Sequence, residues 1–478
     1  MCFTEFKVQK YTDGVEEFEM VRMKKQSEKK RLLLGSMSIV SAAALVSVVF
    51  GPSIFLNDPE LDQVKVIGLR DLWDIIVPDD YKTIKQAVES AVSGDRIYVR
   101  SGVYRINSGL FGSHLKIEKP DITIHGEDKE NTFLNGRGTK NLVLLDADKI
   151  NISGFTFRNN GVNGTLLYVR SNSNIIHNNK FLVNNVYDGT EYAIELYRCN
   201  NNIISNNFVT GEDRGIYLNG CSDNLFENNT IVDNYVAVSI SMGSENNRFV
   251  GNLVFDNSIG ITVSSSSGDY FFNNSFISNN RNGLSLYSCT ASVIKNNVFV
   301  DDGLDLWGLE HDHFVHDISG NLVNDKPLYY YYDKNSFDVP TDAGQIIIVY
   351  CNDVYVENVK ISNTSTAVRI VLSSNIRVID SDFRFCSNGV FLFYSGNNYI
   401  NRNNFVKNMR SAYFIHEGII GSKSNNWRHN YWGSRLFKRV PKVIVGRIHL
   451  KRSFRLIKWL KPGIRARNFD LFPARKPF

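Results

Sequence analysis

The stretch GCSDNLFENNTI (220–231) places a cysteine eight residues before the second asparagine of an Asn-Asn pair. The same spacing occurs in RCNNNIISNNFV (198–209) and in SCTASVIKNNVF (288–299). When the second asparagine is taken as a marker, the marker or its counterpart recurs at steps of 22 or 23 residues through much of the chain. A fixed period of this size is typical of a repeat architecture in which each unit stacks on the one before it.

Each repeat contains short runs in which apolar and polar residues alternate, such as GIYLNGC (215–221). Alternation with period two predicts β-strands. The asparagines between the runs suit corners because asparagine tolerates left-handed backbone. The runs are too short and too rich in β-branched and aromatic residues for a helical repeat. We therefore predict an all-β fold, a parallel β-helix (solenoid) of about twelve coils.

Residues one period apart should lie directly above one another, at the strand spacing of about 4.8 Å. The positions eight before the marker then form a column of small side chains at one corner: Ser171, Cys199, Cys221, Ser244, Ser266, Cys289 and Ser373. The positions five after the marker form a ladder of amides: Asn159, Asn184, Asn234, Asn257, Asn279, Asp302 and Asn363. Such a ladder can bond from coil to coil. A disulfide between Cys199 and Cys221 is the alternative to a column of free thiols.

The segment DDYKTIKQAVESAVSGDRIYV (79–99) departs from the repeat. Its apolar residues Ile84, Ala87, Val88 and Ala91 share one face of a predicted helix, which ends before a glycine. This helix is expected to cap the first coil, which would otherwise expose its core and its unpaired strand edge.

The remaining organisation follows from where the period holds. The β-helix with its N-terminal cap is predicted to occupy residues 75–420, with a hairpin excursion near 316–340. Residues 421–478 have lost the period and are predicted to form a C-terminal cap and a basic tail.

The N-terminal region contains a long uncharged run, LLLGSMSIVSAAALVSVVF (32–50). Its length matches the ~20 residues of a membrane-spanning helix, and the basic residues before it keep the N-terminus cytoplasmic. We predict a cytoplasmic basic tail at 1–31, a transmembrane anchor at 32–52 and a linker at 53–74. A cleaved signal segment, which would give a secreted protein, is one alternative, and a buried core helix is another.

The charge of the chain is unevenly distributed. The net charge is +5, but residues 434–478 carry fourteen Lys and Arg against one acid, Asp470. The body is therefore mildly acidic and the tail strongly basic. A basic, partly apolar tail can lie on an anionic membrane surface or on acidic glycans, or it can form a cap strand with solvated charges. No nucleic acid partner is expected of an exported protein.

Three stretches carry a resemblance to known proteins. VPDDYKTIKQAVESAVSGDRIYVRSGVY (77–104) resembles the cap and first coils of pectin-lyase-like right-handed β-helices. HDISGNLVNDKPLYYYYDKNSFDVP (316–340) and NNWRHNYWG (425–433) resemble NosD-like repeat proteins, a family associated with carbohydrate binding, sugar hydrolysis and periplasmic copper binding. The resemblance implies a right-handed solenoid and an exported protein. It implies little about activity, because the superfamily hosts lyases, hydrolases, epimerases, esterases and non-enzymes.

The resemblance also implies that substrate lies on the strand before the Cys/Ser corner. Alternation assigns the outward residues of that strand in successive coils: Leu167, Val169, Glu195, Tyr197, Tyr217, Asn219, Ser239, Ser241, Thr262, Ser264, Ser285, Tyr287, Asp305, Trp307, Arg369, Val371, Phe391 and Phe393. Aromatic and small polar side chains suit sugar rings. The predicted ligand-binding residues are Tyr197, Tyr217, Asn219, Tyr287, Asp305, Trp307 and Arg369. An ordinary exposed sheet face is the alternative, because aromatics are enriched in strands.

An acidic cluster begins two neighbouring coils, in VYDGTEYAIEL (186–196) and GEDRGIYL (211–218). If the protein is an enzyme, the catalytic candidates are Asp188, Glu191, Glu195, Glu212, Asp213 and Arg214. Stacked like charges repel, and Ca²⁺, which binds oxygen ligands, would relieve the repulsion. A solvated turn is the simpler interpretation. A glycosidase pair of Glu195 and Asp305 is excluded, because the two lie five coils apart.

The stretch LEHDHFVHD (309–317) provides the metal-ligand candidates His311, His313 and His316. Imidazoles favour copper or zinc, and copper is also implied by the family resemblance. Histidines with structural or surface roles are the alternative, since the spacing matches no known metal motif.

From the sequence we predict an exported, membrane-anchored β-helix with its body outside the membrane. It binds polysaccharide or a cell-envelope glycan without catalysis. The first alternative is a polysaccharide lyase or glycoside hydrolase that acts on acidic glycans. The second is a NosD-like accessory protein for copper-site maturation.

Overall fold

The computed structural model describes residues 3–12, 15–24, 69–106, 115–183, 192–211, 214–417, 425–433, 442–449, 464–474 and 476–478. The predicted anchor at 32–52 and most of the predicted linker at 53–74 lie outside these residues. Within the described ranges, no helix is long and apolar enough to span a membrane.

The chain divides into two compact units, residues 1–67 and residues 68–478. The described part of the first unit is an antiparallel hairpin of β1 (Phe3–Thr12) and β2 (Val15–Lys24). The second unit begins with the short helix α1 (Leu69–Leu72) and is a right-handed all-β solenoid of about 14 turns. The predicted right-handed β-solenoid is confirmed, with about 14 turns instead of the predicted twelve.

The predicted N-terminal capping helix is present as α2 (Ile84–Ser90). Thr83 caps it, because its side chain accepts a hydrogen bond from the backbone N–H of Gln86 at 3.2 Å. Ile84, Ala87 and Val88 are buried and belong to the apolar core of the first turns. The helix therefore covers the open end of the solenoid.

The strands up to residue 323 form the part that we call the first stack. The first of them are β3 (Ile75–Val77), β4 (Arg96–Val99), β5 (Gly102–Arg105), β6 (Leu115–Ile117), β7 (Thr123–Gly126), β8 (Thr132–Leu145), β9 (Asn151–Ser153), β10 (Thr156–Val169), β11 (Ile175–His177) and β12 (Lys180–Leu182). The next are β13 (Tyr192–Tyr197), β14 (Ile203–Ser205), β15 (Phe208–Thr210), β16 (Arg214–Asn219), β17 (Leu225–Glu227), β18 (Thr230–Val232), β19 (Val236–Ser241), β20 (Arg248–Val250), β21 (Leu253–Phe255) and β22 (Ile259–Ser264). The last are β23 (Tyr270–Phe272), β24 (Ser275–Ile277), β25 (Leu284–Tyr287), β26 (Val293–Lys295), β27 (Val298–Val300), β28 (Leu304–Trp307), β29 (Asp317–Ser319) and β30 (Leu322–Val323), with a 3-10 helix at His311–Phe314.

These strands form three parallel sheets. The front sheet contains the strands that precede the Cys/Ser corner: β13, β16, β19, β22, β25 and β28. The side sheet follows that corner and has eleven strands, from β3 to β29. The rear sheet comprises β12, β15, β18, β21, β24, β27 and β30. The 14-residue strands β8 and β10 take part in both the rear and the front sheet.

A reversal of the chain separates the first stack from the second. β30 pairs antiparallel with β31 (Lys326–Tyr332), and the turn between them has positive φ at Asn324 and Asp325. The second stack continues with β32 (Asn335–Asp338), β33 (Gln345–Val349), β34 (Asn352–Glu357), β35 (Lys360–Ser362), β36 (Thr366–Val371), β37 (Ser374–Ile379), β38 (Asp382–Arg384), β39 (Asn388–Phe393), β40 (Tyr399–Asn401), β41 (Asn404–Val406), β42 (Arg410–Glu417), β43 (Asn426–Arg428), β44 (Lys442–His449) and β45 (Ile464–Asp470).

The number of turns exceeds the predicted twelve because the interval after Asn297 was misinterpreted. Asn297 donates its backbone N–H and its side-chain amide to Asn321 Oδ1, so a further turn of the first stack ends at Asn321. Only then does the chain reverse, and the hairpin that follows begins the second stack.

Buried asparagine ladders hold the corners of the first stack together. In the predicted ladder, Asn234 donates to Asn257, Asn257 to Asn279, and Asn279 to Asp302, each over about one turn. The marker asparagines form a second ladder, from Asn179 to Asn321. A third ladder runs from Asn174 to Asp269 and was not predicted. Each rung pairs amides that burial would otherwise leave unsatisfied.

The cysteine column is present at the front corner. Cys199 and Cys221 are buried in adjacent turns with their Sγ atoms 3.8 Å apart, and both are free thiols. The backbone N–H of Cys221 donates to Ser244 Oγ at 3.1 Å, so serine continues the column. The alternative of a Cys199–Cys221 disulfide is not realised.

Candidate functional site

The outward face of the front sheet carries the predicted ligand residues of the first stack. In β13 and β16 the residues at the ends and the middle of each strand are partly exposed, and those between them are buried. The register stacks Glu195 directly beside Tyr217, and Tyr217 beside Ser239. A parallel row places Tyr197 beside Asn219. We call this surface, from Tyr168 to Thr262, the open front face.

Aromatic rings on the open front face pack against one another. Tyr192 and Tyr217 stack with ring centroids 5.0 Å apart and planes 15° apart. Tyr168 and Tyr197 lie 6.4 Å apart. These rings support each other's orientation while leaving their outer surfaces available to a ligand.

A polar chain fixes the tip of Tyr217. Asn219 Nδ2 donates to the Tyr217 hydroxyl at 3.2 Å, and this hydroxyl lies 3.1 Å from Ser241 Oγ. Tyr217 and Asn219 lie on β16 and Ser241 lies on β19, so the network connects two adjacent strands. It also presents a fixed set of donors and acceptors beside the rings.

Glu195 is the acidic group of this face. Thr165 Oγ1 donates to Glu195 Oε2 at 3.1 Å, and the register places Glu195 between Tyr168 and Tyr217. Burial raises the pKa of the Glu195 carboxyl above its ordinary value, against the opposing effect of the Thr165 hydrogen bond. A carboxyl in this setting can donate a proton to a bound oxygen as well as accept a hydrogen bond.

Most of the predicted catalytic cluster lies outside the described residues. This applies to Asp188, Glu191, Glu212 and Asp213, whose convergence therefore stays a prediction. Arg214 is described and turns toward Tyr192, with Nη1 3.4 Å from the tyrosine hydroxyl.

Sequence reasoning assigned the wrong phase to one strand of this face. Leu167 and Val169 are fully buried, and Tyr168 faces outward in their place. In the strands, Val169 pairs with Leu196, which is 27 residues later. At the corner that follows, Asn172 accepts a hydrogen bond from the backbone N–H of Asn200, which is 28 residues later. One residue is therefore missing from the earlier corner, and a one-residue shift moves every side chain of a strand to the other face.

Two predicted ligand residues are buried where the two stacks meet. Arg369 is 1% exposed, and its Nη1 lies 2.8 Å from Asp305 Oδ1. The guanidinium lies 4.3 Å above the Trp307 ring and 4.7 Å above the Phe391 ring. The predicted exposure of Asp305 and Arg369 is therefore wrong, because the sheet of β33, β36 and β39, which we call the front sheet of the second stack, covers the last turn of the first.

Further contacts define this junction. The side chain of Gln345 bonds to both the N–H and the C=O of Leu304, which satisfies the free edge of β28. Thr364 Oγ1 donates to the Asp302 carbonyl at 2.8 Å. Trp307 is partly buried in the junction, whereas Tyr287, one turn earlier, is 39% exposed and stacks on it at 6.2 Å.

The three predicted metal-binding histidines do not converge. His313 Nδ1 accepts hydrogen bonds from the backbone N–H groups of Leu309 and Glu310, each at 3.2 Å. His316 Nδ1 accepts from the N–H of Ser292 at 3.2 Å, and its Nε2 bonds to the carbonyl of His313.

His311 lies apart from the other two and packs its ring against Tyr332 and Tyr350. Burial lowers the pKa of His316 to about 4, so its partly buried ring is neutral at pH 7. The predicted grouping is therefore wrong.

Copper is the metal that the family resemblance implies, and the residues present do not fit it. Within the described ranges no group of three or more His, Cys, Asp or Glu could hold a metal ion. The ring nitrogens of His313 and His316 that point inward are already occupied by backbone groups. Ca²⁺ was one interpretation of the acidic cluster, most of which lies outside the described residues.

Two residues of the open front face, Tyr168 and Tyr192, were missed, as was the buried Thr165 that bonds to Glu195. Tyr168 contacts Tyr197, and Tyr192 contacts Tyr217. The alternation of Tyr168 with the buried Leu167 and Val169 is a usable signal, but the irregular corners between 169 and 199 obscured the register.

Comparison with known proteins identifies two family models. Residues 88–259 and 182–348, together more than half of the chain, match the model described as periplasmic copper-binding protein (NosD). Residues 270–430 match the model described as right handed beta helix region. No curated protein matches the chain.

Several solved structures are similar at low identity. An alginate lyase from Paenibacillus sp. str. FPU-7 is 13% identical over 72% of this chain and 91% of that chain, with a TM-score of 0.28. The rice weevil pectin methyl esterase is 11% identical over 59% and 94%, with a TM-score of 0.35. The mannuronan C-5 epimerase AlgE4 A-module of Azotobacter vinelandii is 12% identical over 75% and 89%, with a TM-score of 0.30. At these scores the similarity carries no argument about activity.

Proposed function

The chain belongs to the NosD family of right-handed β-helix proteins, and on that premise we propose that it is an exported protein of the cell envelope that binds polysaccharide along its open front face. Binding, rather than turnover, is the proposed role. The family model is described as periplasmic, which supports export.

One observation carries this proposal: the open front face presents aromatic rings beside an ordered amide–hydroxyl network. Tyr192 stacks on Tyr217, and Tyr217 is held by Asn219 and Ser241. Sugar rings bind through CH groups that stack on aromatic faces and through hydroxyls that need paired donors and acceptors. The strand spacing of about 4.8 Å extends this face by a row of hydroxyls, since Ser239 and Thr262 follow Tyr217 in the next two turns, and an extended row suits a polymer.

The polysaccharide proposal is tested by titrating the full chain with neutral and acidic polysaccharides, with and without Ca²⁺. Tyr217→Ala should weaken binding roughly two- to tenfold, because losing one stacking contact costs roughly 0.5–1.5 kcal/mol and 1.4 kcal/mol corresponds to a factor of ten.

Tyr270→Ala is the matched control, because Tyr270 lies on the side sheet and stacks on Phe272 at 5.8 Å. Equal affinity of Tyr217→Ala and the native chain, or an equal loss in the control, contradicts the proposal.

The second candidate function is hydrolysis or elimination on an acidic glycan. The observation that favours it is the partly buried carboxyl of Glu195 on the open front face. Its raised pKa is the property expected of a proton-donating carboxyl. Release of reducing-end or unsaturated products by the native chain, with loss of that release in Glu195→Gln, would establish catalysis. Binding without any product supports the first proposal.

Copper-site maturation, the third function considered, receives no support from the described residues. His311, His313 and His316 neither converge nor leave their inward nitrogens free. No step of the proposed function therefore involves copper.

A further inference from the structure

The C-terminal end of the second stack is closed by a two-stranded ribbon with two unlike faces. β44 pairs parallel with β42 and antiparallel with β45. Val443 lies opposite Phe469, and Val445 lies opposite Arg467. Because opposite residues of an antiparallel pair share a face, these four side chains form one surface. We call it the outer face of the ribbon.

The inner face of the ribbon is part of the core. Ile444 is 2% exposed and Asp470 is 0% exposed. Asp470 Oδ2 accepts hydrogen bonds from the backbone N–H of Asn430 at 2.9 Å and from Trp432 Nε1 at 3.1 Å. The ribbon is therefore anchored by this side, and its orientation is fixed.

The outer face is apolar and exposed. Val443 is 39% exposed, Val445 is 52% exposed and Phe469 is 44% exposed. The chain continues beyond Phe469 into Leu471 and Phe472, which are 59% and 56% exposed. Exposed apolar side chains gathered in one place mark a binding surface rather than random exposure.

The charged residues named on the outer face are all basic. Arg447 and Arg467 are exposed on it, and neither forms an ion pair with any residue that the structure describes. Residues 434–478 contain fourteen Lys and Arg and a single acid, Asp470. Because Asp470 is buried and bonded inward, no carboxylate of this segment offsets the charge of the outer face.

We infer that the outer face of the β44–β45 ribbon docks on an anionic lipid surface. An interfacial surface buries apolar side chains at the headgroup boundary and pairs its arginines with lipid phosphates. An acidic polysaccharide could pair with Arg447 and Arg467, but it would leave Val443, Val445 and Phe469 in water. A bilayer surface accommodates both sets of side chains.

The test uses the full chain with one tryptophan introduced on the ribbon, by Phe469→Trp or, as a second variant, by Val445→Trp. Vesicles of phosphatidylcholine are compared with vesicles that also contain phosphatidylglycerol, each with brominated acyl chains that quench tryptophan. The control is Ile175→Trp, since Ile175 is 38% exposed on the side sheet. Flotation shows whether the chain is on the vesicles at all.

Because the native chain contains five tryptophans, quenching is read as the difference from the native chain. The inference predicts additional quenching on phosphatidylglycerol vesicles for the ribbon tryptophan and none for the control tryptophan. Adding Arg447→Glu and Arg467→Glu should weaken ribbon docking on the order of tenfold or more, because each arginine contributes to the attraction. The inference is overturned if the chain floats while the ribbon tryptophan is no more quenched than the control. It is also overturned if the ribbon emission responds to an acidic polysaccharide and not to the vesicles.

Discussion

The front sheet of the first stack and that of the second stack occupy the same position in the repeat, yet the outward side chains of the first are partly exposed and those of the second are buried. On the open front face, Tyr197 and Tyr217 remain partly exposed. At the junction, the corresponding residues Phe393 and Phe391 are 5% and 2% exposed. The repeat position sets the direction of a side chain, whereas packing of one stack on the other sets its exposure.

The junction also shows why a single reversal matters. Without the antiparallel pairing of β30 with β31, β33 and its neighbours would continue the first stack and leave Asp305 in solvent. After the reversal, Arg369 of the second stack packs against Asp305 in the last turn of the first. An ion pair that would be a minor surface contact becomes a buried one.

The largest expected effect comes from breaking that ion pair. Arg369→Ala should destabilise the protein by about 3–5 kcal/mol, because it leaves Asp305 buried and unpaired. The exposed pair of Arg170 and Asp146, with Nη2 to Oδ1 at 2.8 Å, is the matched control. Arg170→Ala should cost less than about 1 kcal/mol. Equal losses for the two variants in denaturant unfolding would contradict a buried junction.

The second largest effect on stability is expected at Asp302, the last residue of the asparagine ladder that reaches the junction. Its Oδ2 accepts from the backbone and the side chain of Asn279, but its Oδ1 is buried without a partner. Burial raises the pKa of Asp302 to about 8. Asp302→Asn should stabilise the protein at pH 8 by a few kcal/mol, because the amide oxygen can accept the same bonds from Asn279 and has no ionised form, and one unit of pKa shift corresponds to about 1.4 kcal/mol.

The sign of the pH dependence follows from that raised pKa. Below about pH 4 both the folded and the unfolded chain carry the Asp302 proton. Between about pH 4 and pH 8 the unfolded chain has lost it and the folded chain has not, so the contribution of Asp302 to stability falls as pH rises. The advantage of Asp302→Asn should therefore grow from pH 4 to pH 8 in thermal unfolding. An advantage that is constant across this range would show that Asp302 is not the titrating group.

The smallest expected effect on stability is on the open front face. Tyr217→Ala should change the free energy of unfolding by about 1 kcal/mol or less, because its ring is partly exposed. Phe391→Ala, at the junction, should cost about 3–5 kcal/mol, as is usual for a buried phenylalanine. A large loss in Tyr217→Ala would show that its ring is structural and would weaken the assignment of the face to ligand binding.

Much of the fold could be predicted from the sequence because stacking converts sequence distance into height. The Cys/Ser column and the ladder from Asn234 to Asp302 follow from counting alone. The ladder from Asn174 to Asp269 obeys the same period. It was missed because only the positions eight before and five after the marker were followed, whereas this ladder lies five before it.

The errors have local physical causes. Leu167 and Val169 were placed outward because one corner is a residue shorter than the next. Asp305 and Arg369 were placed in solvent because their burial depends on a contact across 64 residues, which no periodic pattern encodes. His313 and His316 are taken up by backbone N–H groups, a role that residue type alone does not reveal.

The contrast between the two faces is tested most directly by hydroxyl-radical footprinting of the full chain, read by mass spectrometry. The account predicts that Tyr197 and Tyr217 are oxidised readily, while Phe391 and Phe393, which are 2% and 5% exposed, are protected. Oxidation of Phe391 and Phe393 at the rate of the two tyrosines would contradict it, because the second stack would then not cover the end of the first.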